Sequence, residues 1–197
     1  MPERKQRADA TRNREAVLAA ADALFARSDS PRSVSMDEVA AAAGVGKGTL
    51  FRRFGDRTGL IQALYEARVQ PLREAVESGP APLGPTTPPL ERVPALLDAM
   101  LSFKMDNRHL SMALEEAGSG SPYAAGHYTR WHGALEEMLQ QIPATAATAG
   151  FTAHALLAAT RADLVEHLLG ERQMTPLQVR EGLAGHTARV LGDQGND

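Results

Sequence analysis

The residues best placed to do chemistry are Lys47, Thr49, Arg52 and Arg53, crowded into the segment GKGTLFRR. Ammonium and guanidinium groups hold phosphate oxygens, and a short hydroxyl can bond a phosphate or a base edge and touch a thymine methyl. Lys47 is the candidate for a base or phosphate contact, and Gly48 beside it lets a backbone approach a ligand closely. Arg52, Arg53 and Arg57 are candidate phosphate clamps, and Ser35, at a helix start, is placed to bind a phosphate with backbone amides. Such a set grips a polyanion and reads its edges. It breaks no bonds.

Catalysis finds little support elsewhere. The six histidines are His109, His127, His132, His154, His167 and His186, and none forms an H-E-x-x-H pair. Asp106-x-x-His109 has no second copy to build a two-metal bundle. Asp163 and His167 stand one turn apart, as an acid–base pair or, more simply, an i, i+4 surface pair. Gly44, Gly46 and Gly48 have the wrong spacing for a nucleotide loop and no strand before them. No catalytic residue, metal site or cofactor is expected. With no cysteine in the chain, disulfides and thiolate chemistry are excluded.

The cationic segment needs elements to carry it. Ser35 and Glu38 form an S-x-x-E capping box, so a helix begins there. Val39, Ala40 and Ala43 recur at helical spacing, and Gly44 ends the run by accepting a left-handed backbone. Val45, Leu50 and Phe54 supply the inward contacts of a second helix of about two turns. Two short helices around a glycine turn form a helix-turn-helix, whose second helix enters the DNA major groove. A capped helical hairpin without that function is the plainer reading of the same spacing.

With the flanking segments RNREAVLAAADALFARSDS and DRTGLIQALYEARV, the stretch resembles the DNA-binding domain of the TetR family of transcriptional regulators. The resemblance rests on Arg14, Val17, Leu18, Ala21, Leu24 and Phe25, then Ser35, Val39, Ala40, Ala43-Gly44-Val45, Lys47-Gly48-Thr49-Leu50-Phe51, Phe54 and Leu60. It covers roughly residues 11–72 and fades beyond residue 80. It implies an all-α chain: a three-helix DNA-binding domain over 1–55, a connecting fourth helix over 56–78, and a helical ligand-binding and dimerisation domain over 79–197. Two positions depart from the family pattern. Phe51 replaces a common Tyr whose hydroxyl meets phosphate, so Phe51 is expected to pack rather than to contact DNA. Gly46 stands where a hydroxyl residue is common.

The rest of the chain reads as follows. Residues 1–8 look like a disordered basic arm, and a first helix runs from Asp9 or Thr11 to Arg27. The fourth helix carries Leu60, Ile61, Leu64, Ala67, Leu72 and Val76, with Pro71 predicting a kink or a stop near Gln70. GPAPLGPTTPP is a loop or linker, and helices follow at about 90–106, 107–117, 123–142, 149–170 and 175–192. The resemblance implies a cavity among the middle helices, for which Phe103, Met112, Tyr123, Tyr128, Trp131 and His132 are the candidates. Plain core is the simpler reading of each. It also implies dimerisation through the last helices, where Leu156, Thr160, Leu164, Leu168, Leu183, Thr187 and Val190 form apolar stripes. Those same stripes can close the monomer's own core.

Charge fits a divided chain. Residues 1–73 hold 13 Lys and Arg against 9 acids, whereas residues 74–197 hold 8 against 15. A basic first third suits a DNA-reading part on an acidic remainder. The polar N-terminus lacks a signal-peptide core, and the uncharged segment Met138–Thr160 contains Pro143, two Gln and four Thr, which suits a loop and a buried helix better than a membrane span. The expected protein is a cytoplasmic, homodimeric regulator. It is most simply a repressor released from a double-stranded DNA operator by a small-molecule effector, with no membrane partner. A helical ligand-binding or protein-interaction module without DNA binding is the alternative.

Overall fold

The computed structural model describes residues 2–27, 33–117, 123 and 125–192, all helix and loop with no strand among them. Ten helices follow in order: α1 (Pro2–Arg27), α2 (Met36–Ala42), α3 (Lys47–Phe54), α4 (Arg57–Ser78), α5 (Pro89–Asp106), α6 (Arg108–Ala117), α7 (Gly126–Leu139), α8 (Ala149–Ala158), α9 (Ala162–Glu166) and α10 (Pro176–Val190). They gather into two compact units. The first holds residues 1–68 and 109–118, the second residues 69–108 and 119–197.

In the first unit, α1 buries Val17, Leu18, Ala21 and Phe25, spaced to keep one face inward. That face packs on α2, which contributes Val39 and Ala40, and α2 packs on α3 through the buried Leu50. α4 adds Leu60, Ile61, Leu64 and Tyr65. α1 begins at Pro2, so residues 2–8 are helical rather than a disordered arm. Proline is at home in a first helical turn, and the Glu, Arg, Lys, Gln and Ala after it are strong helix formers.

α4 does not stop at Gln70. It runs to Ser78 with Pro71 inside it. Its buried stripe keeps Leu60, Ile61, Leu64 and Val76 but differs from the expected one elsewhere, because Ala67 is exposed and Leu72 half-buried while Tyr65 and Val69 are buried.

The second unit is built on α5, whose Val93, Leu96, Leu97 and Leu101 are fully buried, with α7 and α10 against it. α7 packs most extensively on α8, placing Trp131, Leu135 and Leu139 in the same core as Ala153 and Leu156. The proline-rich segment 79–88 is a fixed loop of this unit. Arg92 reaches across to donate to the carbonyls of Leu83 (2.7 Å) and Val76 (2.6 Å), satisfying oxygens that no helix serves.

The single helix expected over 149–170 is broken. α8 ends at Ala158, the buried Thr160 hydroxyl donates to the Leu157 carbonyl at 2.9 Å, and Arg161 turns extended before α9. A threonine hydroxyl that takes a local carbonyl offers the backbone an alternative to helix. His167–Glu171 then forms one π-helical turn, and Thr175 starts α10 with a capping box closed by Gln178.

Candidate nucleic-acid interface

The geometry of α2 and α3 follows from three local devices. Ser35 closes a complete capping box: its hydroxyl accepts from the Glu38 N–H at 3.2 Å, and the Glu38 carboxylate accepts from the Ser35 N–H at 2.9 Å. Gly44, at φ 64°, then reverses the chain after Ala43, and the Val45 N–H reaches back to the Ala40 carbonyl at 3.0 Å. Gly59 fixes the next corner. A Cβ there would stand 2.0 Å from the Phe54 carbonyl oxygen, so no other residue lets α4 start so close to the end of α3. Asp56 caps that start by accepting from the Gly59 N–H at 2.8 Å.

α3 turns Leu50 inward and leaves Lys47, Gly48, Phe51, Arg52 and Arg53 exposed, with Thr49 half-buried. The Lys47 ammonium meets the Asp37 carboxylate at 2.5 Å, both side chains standing mostly in solvent. Asp37 thus belongs to the site, though nothing in a ten-residue separation announces it. A Cβ on Gly48 would touch nothing, so its bareness is not demanded by packing.

Two expected phosphate ligands have other work. The Ser35 hydroxyl also donates to Glu38 at 2.7 Å, so both its polar groups serve the cap beside a carboxylate that repels phosphate. Hydrogen bonding from Ser35 holds the Glu38 carboxyl below the ordinary glutamate range and keeps it charged. Arg57 donates through Nε to the Val34 carbonyl at 3.0 Å and lies 5.8 Å from the Phe25 ring centroid. It ties α4 to the segment before α2 and to α1, and its half-burial fits that role.

The expected cavity residues separate. Trp131 is buried core, Phe103 is half-buried on α5, and Met112 lies on α6 in the first unit. Tyr123, Tyr128 and His132 do meet, and they gather His154 from α8, a residue without an assigned role in the sequence. The Tyr128 hydroxyl and His154 Nδ1 are 2.6 Å apart, and the His132 and His154 ring centroids 3.9 Å apart. Burial, with Tyr123 beside it, pushes the Tyr128 hydroxyl above the ordinary tyrosine range, so it stays protonated and shares a hydrogen bond with His154. His132 is itself held by the Gly150 carbonyl at 3.1 Å and by Glu136 at 3.5 Å.

Hollows of the second unit lie away from these rings. One of about 180 Å³ is lined by Leu164, Leu168, Val179 and Leu183, and one of about 500 Å³ by Leu90, Glu91, Pro94 and Ala188.

The apolar stripes also divide. Leu156, Thr160, Leu183 and Thr187 are buried within the unit itself, and the Thr187 hydroxyl donates to the Leu183 carbonyl at 2.8 Å. They close the core and leave nothing for a second copy to cover. Leu164 is 36% exposed, and Leu168 and Val190 are half-buried. Asp163 and His167 are not paired: Asp163 binds Arg161 at 2.8 Å, and His167 meets Glu171 at 2.9 Å.

Residues 17–64, which hold α2, α3 and the corner into α4, match the bacterial regulatory proteins of the tetR family. An HTH-type transcriptional regulator of Staphylococcus aureus is 32% identical over 75 residues, a match spanning 38% of this chain and 39% of that protein. The fold extends further than the sequence likeness. A Rhodococcus protein assigned to the TetR family superposes with a TM-score of 0.65 at 23% identity, covering 91% of this chain and 98% of that one. NalD of Pseudomonas aeruginosa, the secondary repressor of the MexAB-OprM multidrug efflux pump, gives 0.60 at 18% identity, covering 92% and 96%. The fold is thus shared along most of the chain, whereas the likeness in sequence is confined to the helix-turn-helix segment and its flanks. No helix among the described residues is long and apolar enough to cross a membrane.

Proposed function

We propose that the chain is a homodimeric transcriptional regulator whose first unit binds an operator and whose second unit receives a small-molecule effector, most simply a repressor released when that effector binds. The observation that carries this reading is α3: eight residues with Leu50 inside and Lys47, Gly48, Arg52 and Arg53 outside, matched to the DNA-binding domain of a regulator family. Lys47 and Thr49 supply contacts at the start of the recognition helix, where base edges are met. Arg52 and Arg53 clamp phosphates, which fixes register without reading sequence. Ser35 and Arg57 hold the domain together.

The repressor sign is carried over from the related fold of NalD, which is a repressor. In the second unit, Tyr123, Tyr128, His132 and His154 offer rings, a hydroxyl and imidazoles to an aromatic or hydrogen-bonding effector. α4, one unbroken helix from Arg57 to Ser78, is the element through which effector binding would change the spacing of two recognition helices. Those must sit about one DNA turn apart, or a multiple. An effector switches the protein only by its differential affinity for the two states.

The test is to select fragments from the organism's own genome with the purified protein and footprint the winners. A two-fold-symmetric site upstream of a gene is expected, with half-sites about 10 base pairs or a multiple apart. Failure to enrich any fragment at low salt would favour a module that does not bind DNA.

A further inference from the structure

Phe51 is the residue of α3 whose position the packing of the domain does not explain. Inward packing is supplied by Leu50, fully buried, and Phe54, half-buried, while Phe51 is 45% exposed. It lies one turn after Lys47 and Gly48, at i+4 and i+3, so it shares their side of the helix. Helical side chains lean toward the N-terminus and cover the turn before their own Cα. Nothing stands within 4 Å of where a Gly48 Cβ would be, so the side of α3 that Phe51 shares with Gly48 is open. The other long side chain on that side, Lys47, has its ammonium drawn to Asp37 on α2.

The first turn is the part of a recognition helix that approaches base edges. A phenyl ring neither donates nor accepts an ordinary hydrogen bond, so it cannot reward the amide, carbonyl or ring-nitrogen edges of the major groove. The apolar feature displayed there is the 5-methyl of thymine, a known partner of Phe. We propose that Phe51 is a specificity-determining residue that packs on a thymine methyl in each operator half-site. Lys47 and Arg52, on either side of it, supply charge. The proposal rests on the DNA-binding reading above and deepens it.

The experiment uses the full-length protein and a duplex enriched from a random-sequence library, with each thymine replaced in turn by uracil, which removes only the methyl. Affinities of wild type, Phe51→Ala and Phe51→Leu are measured at fixed salt. Losing one buried methyl costs about fourfold in affinity per half-site. Wild type should show that loss at one thymine of each half-site, Phe51→Leu a smaller loss at the same position, and Phe51→Ala none. A wild type indifferent to uracil at every position would overturn the assignment while leaving DNA binding intact, as would a Phe51→Ala variant with the wild-type uracil profile. If Phe51→Ala does not fold, by circular dichroism, Phe51→Leu against wild type decides. A library from which no duplex is enriched would defeat the DNA-binding reading itself.

Discussion

Ser35–Glu38 in the first unit and Thr175–Gln178 in the second close the same reciprocal cap, yet the two units place their cations differently. In the second unit the arginines are used internally. Arg92 serves two backbone carbonyls, Arg108 chelates Glu166 at 2.7 Å, and Arg180 on α10 is bound by Asp98 on α5 at 2.6 Å. In the first unit Arg52 and Arg53 stand exposed on a helix with no acid of its own, while Lys47 is balanced by one solvated carboxylate. The first unit also spends cations internally, Arg57 on the Val34 carbonyl and Arg68 on Asp22, and what sets α3 apart is that its cations reach the surface.

The largest effects should come from the second unit's apolar stripe, buried at one end and exposed at the other. Leu156→Ala in the second unit should cost about 2–5 kcal/mol in urea unfolding, since the side chain is fully enclosed and leaves a cavity. Leu164→Glu, its former companion in the apolar stripe, should leave the protein helical and stable but monomeric, with DNA affinity collapsing because one half-site supplies too few contacts. Sedimentation with circular dichroism decides it: a variant that stays dimeric moves the interface away from α9.

Intermediate effects belong to α3. Lys47→Ala should weaken operator binding by about 1–3 kcal/mol if the ammonium reads a base, or flatten the salt slope by about one if it meets phosphate. Unchanged affinity and slope in a folded variant would remove Lys47 from the interface.

The smallest effect is the cap. Ser35→Ala should destabilise the first unit by about 1 kcal/mol, with the loss read in thermal unfolding. Its pH dependence has a definite sign. The folded pKa of Glu38 lies below its unfolded value, so the cap's contribution is present above the ordinary glutamate range and disappears as pH falls through the lowered folded value. Wild type and Ser35→Ala should therefore converge in stability toward acid.

The first unit was legible because its determinants are local. A cap at Ser35, a turn at Gly44 and a buried Leu50 lie within sixteen residues, and each follows from side-chain type and spacing. What escaped was whatever depends on how one helix turns against the next: Asp37 facing Lys47, Arg57 reaching Val34, and Gly59 pressed against Phe54. In the second unit the amphipathic stripes were visible, but an apolar stripe does not say which side it faces. Leu156 and Leu164 sit at the same helical spacing, and only packing separates core from exposed face. Across Thr160 a hydroxyl cap broke a helix that hydrophobicity alone would have continued. The Tyr128–His154 pair joins two helices whose sequences give no hint that they touch.

The most direct measurement is the salt dependence of binding to the selected genomic site, for wild type and for the double variant Arg52→Ala, Arg53→Ala. Released counterions make log K fall linearly with log salt, with a slope of about 0.9 per neutralised phosphate. The expected result is a steep slope for wild type and one shallower by about two for each α3 helix that loses both clamps. Superimposable slopes, or binding indifferent to salt, would contradict the assignment of α3 as the DNA-binding surface.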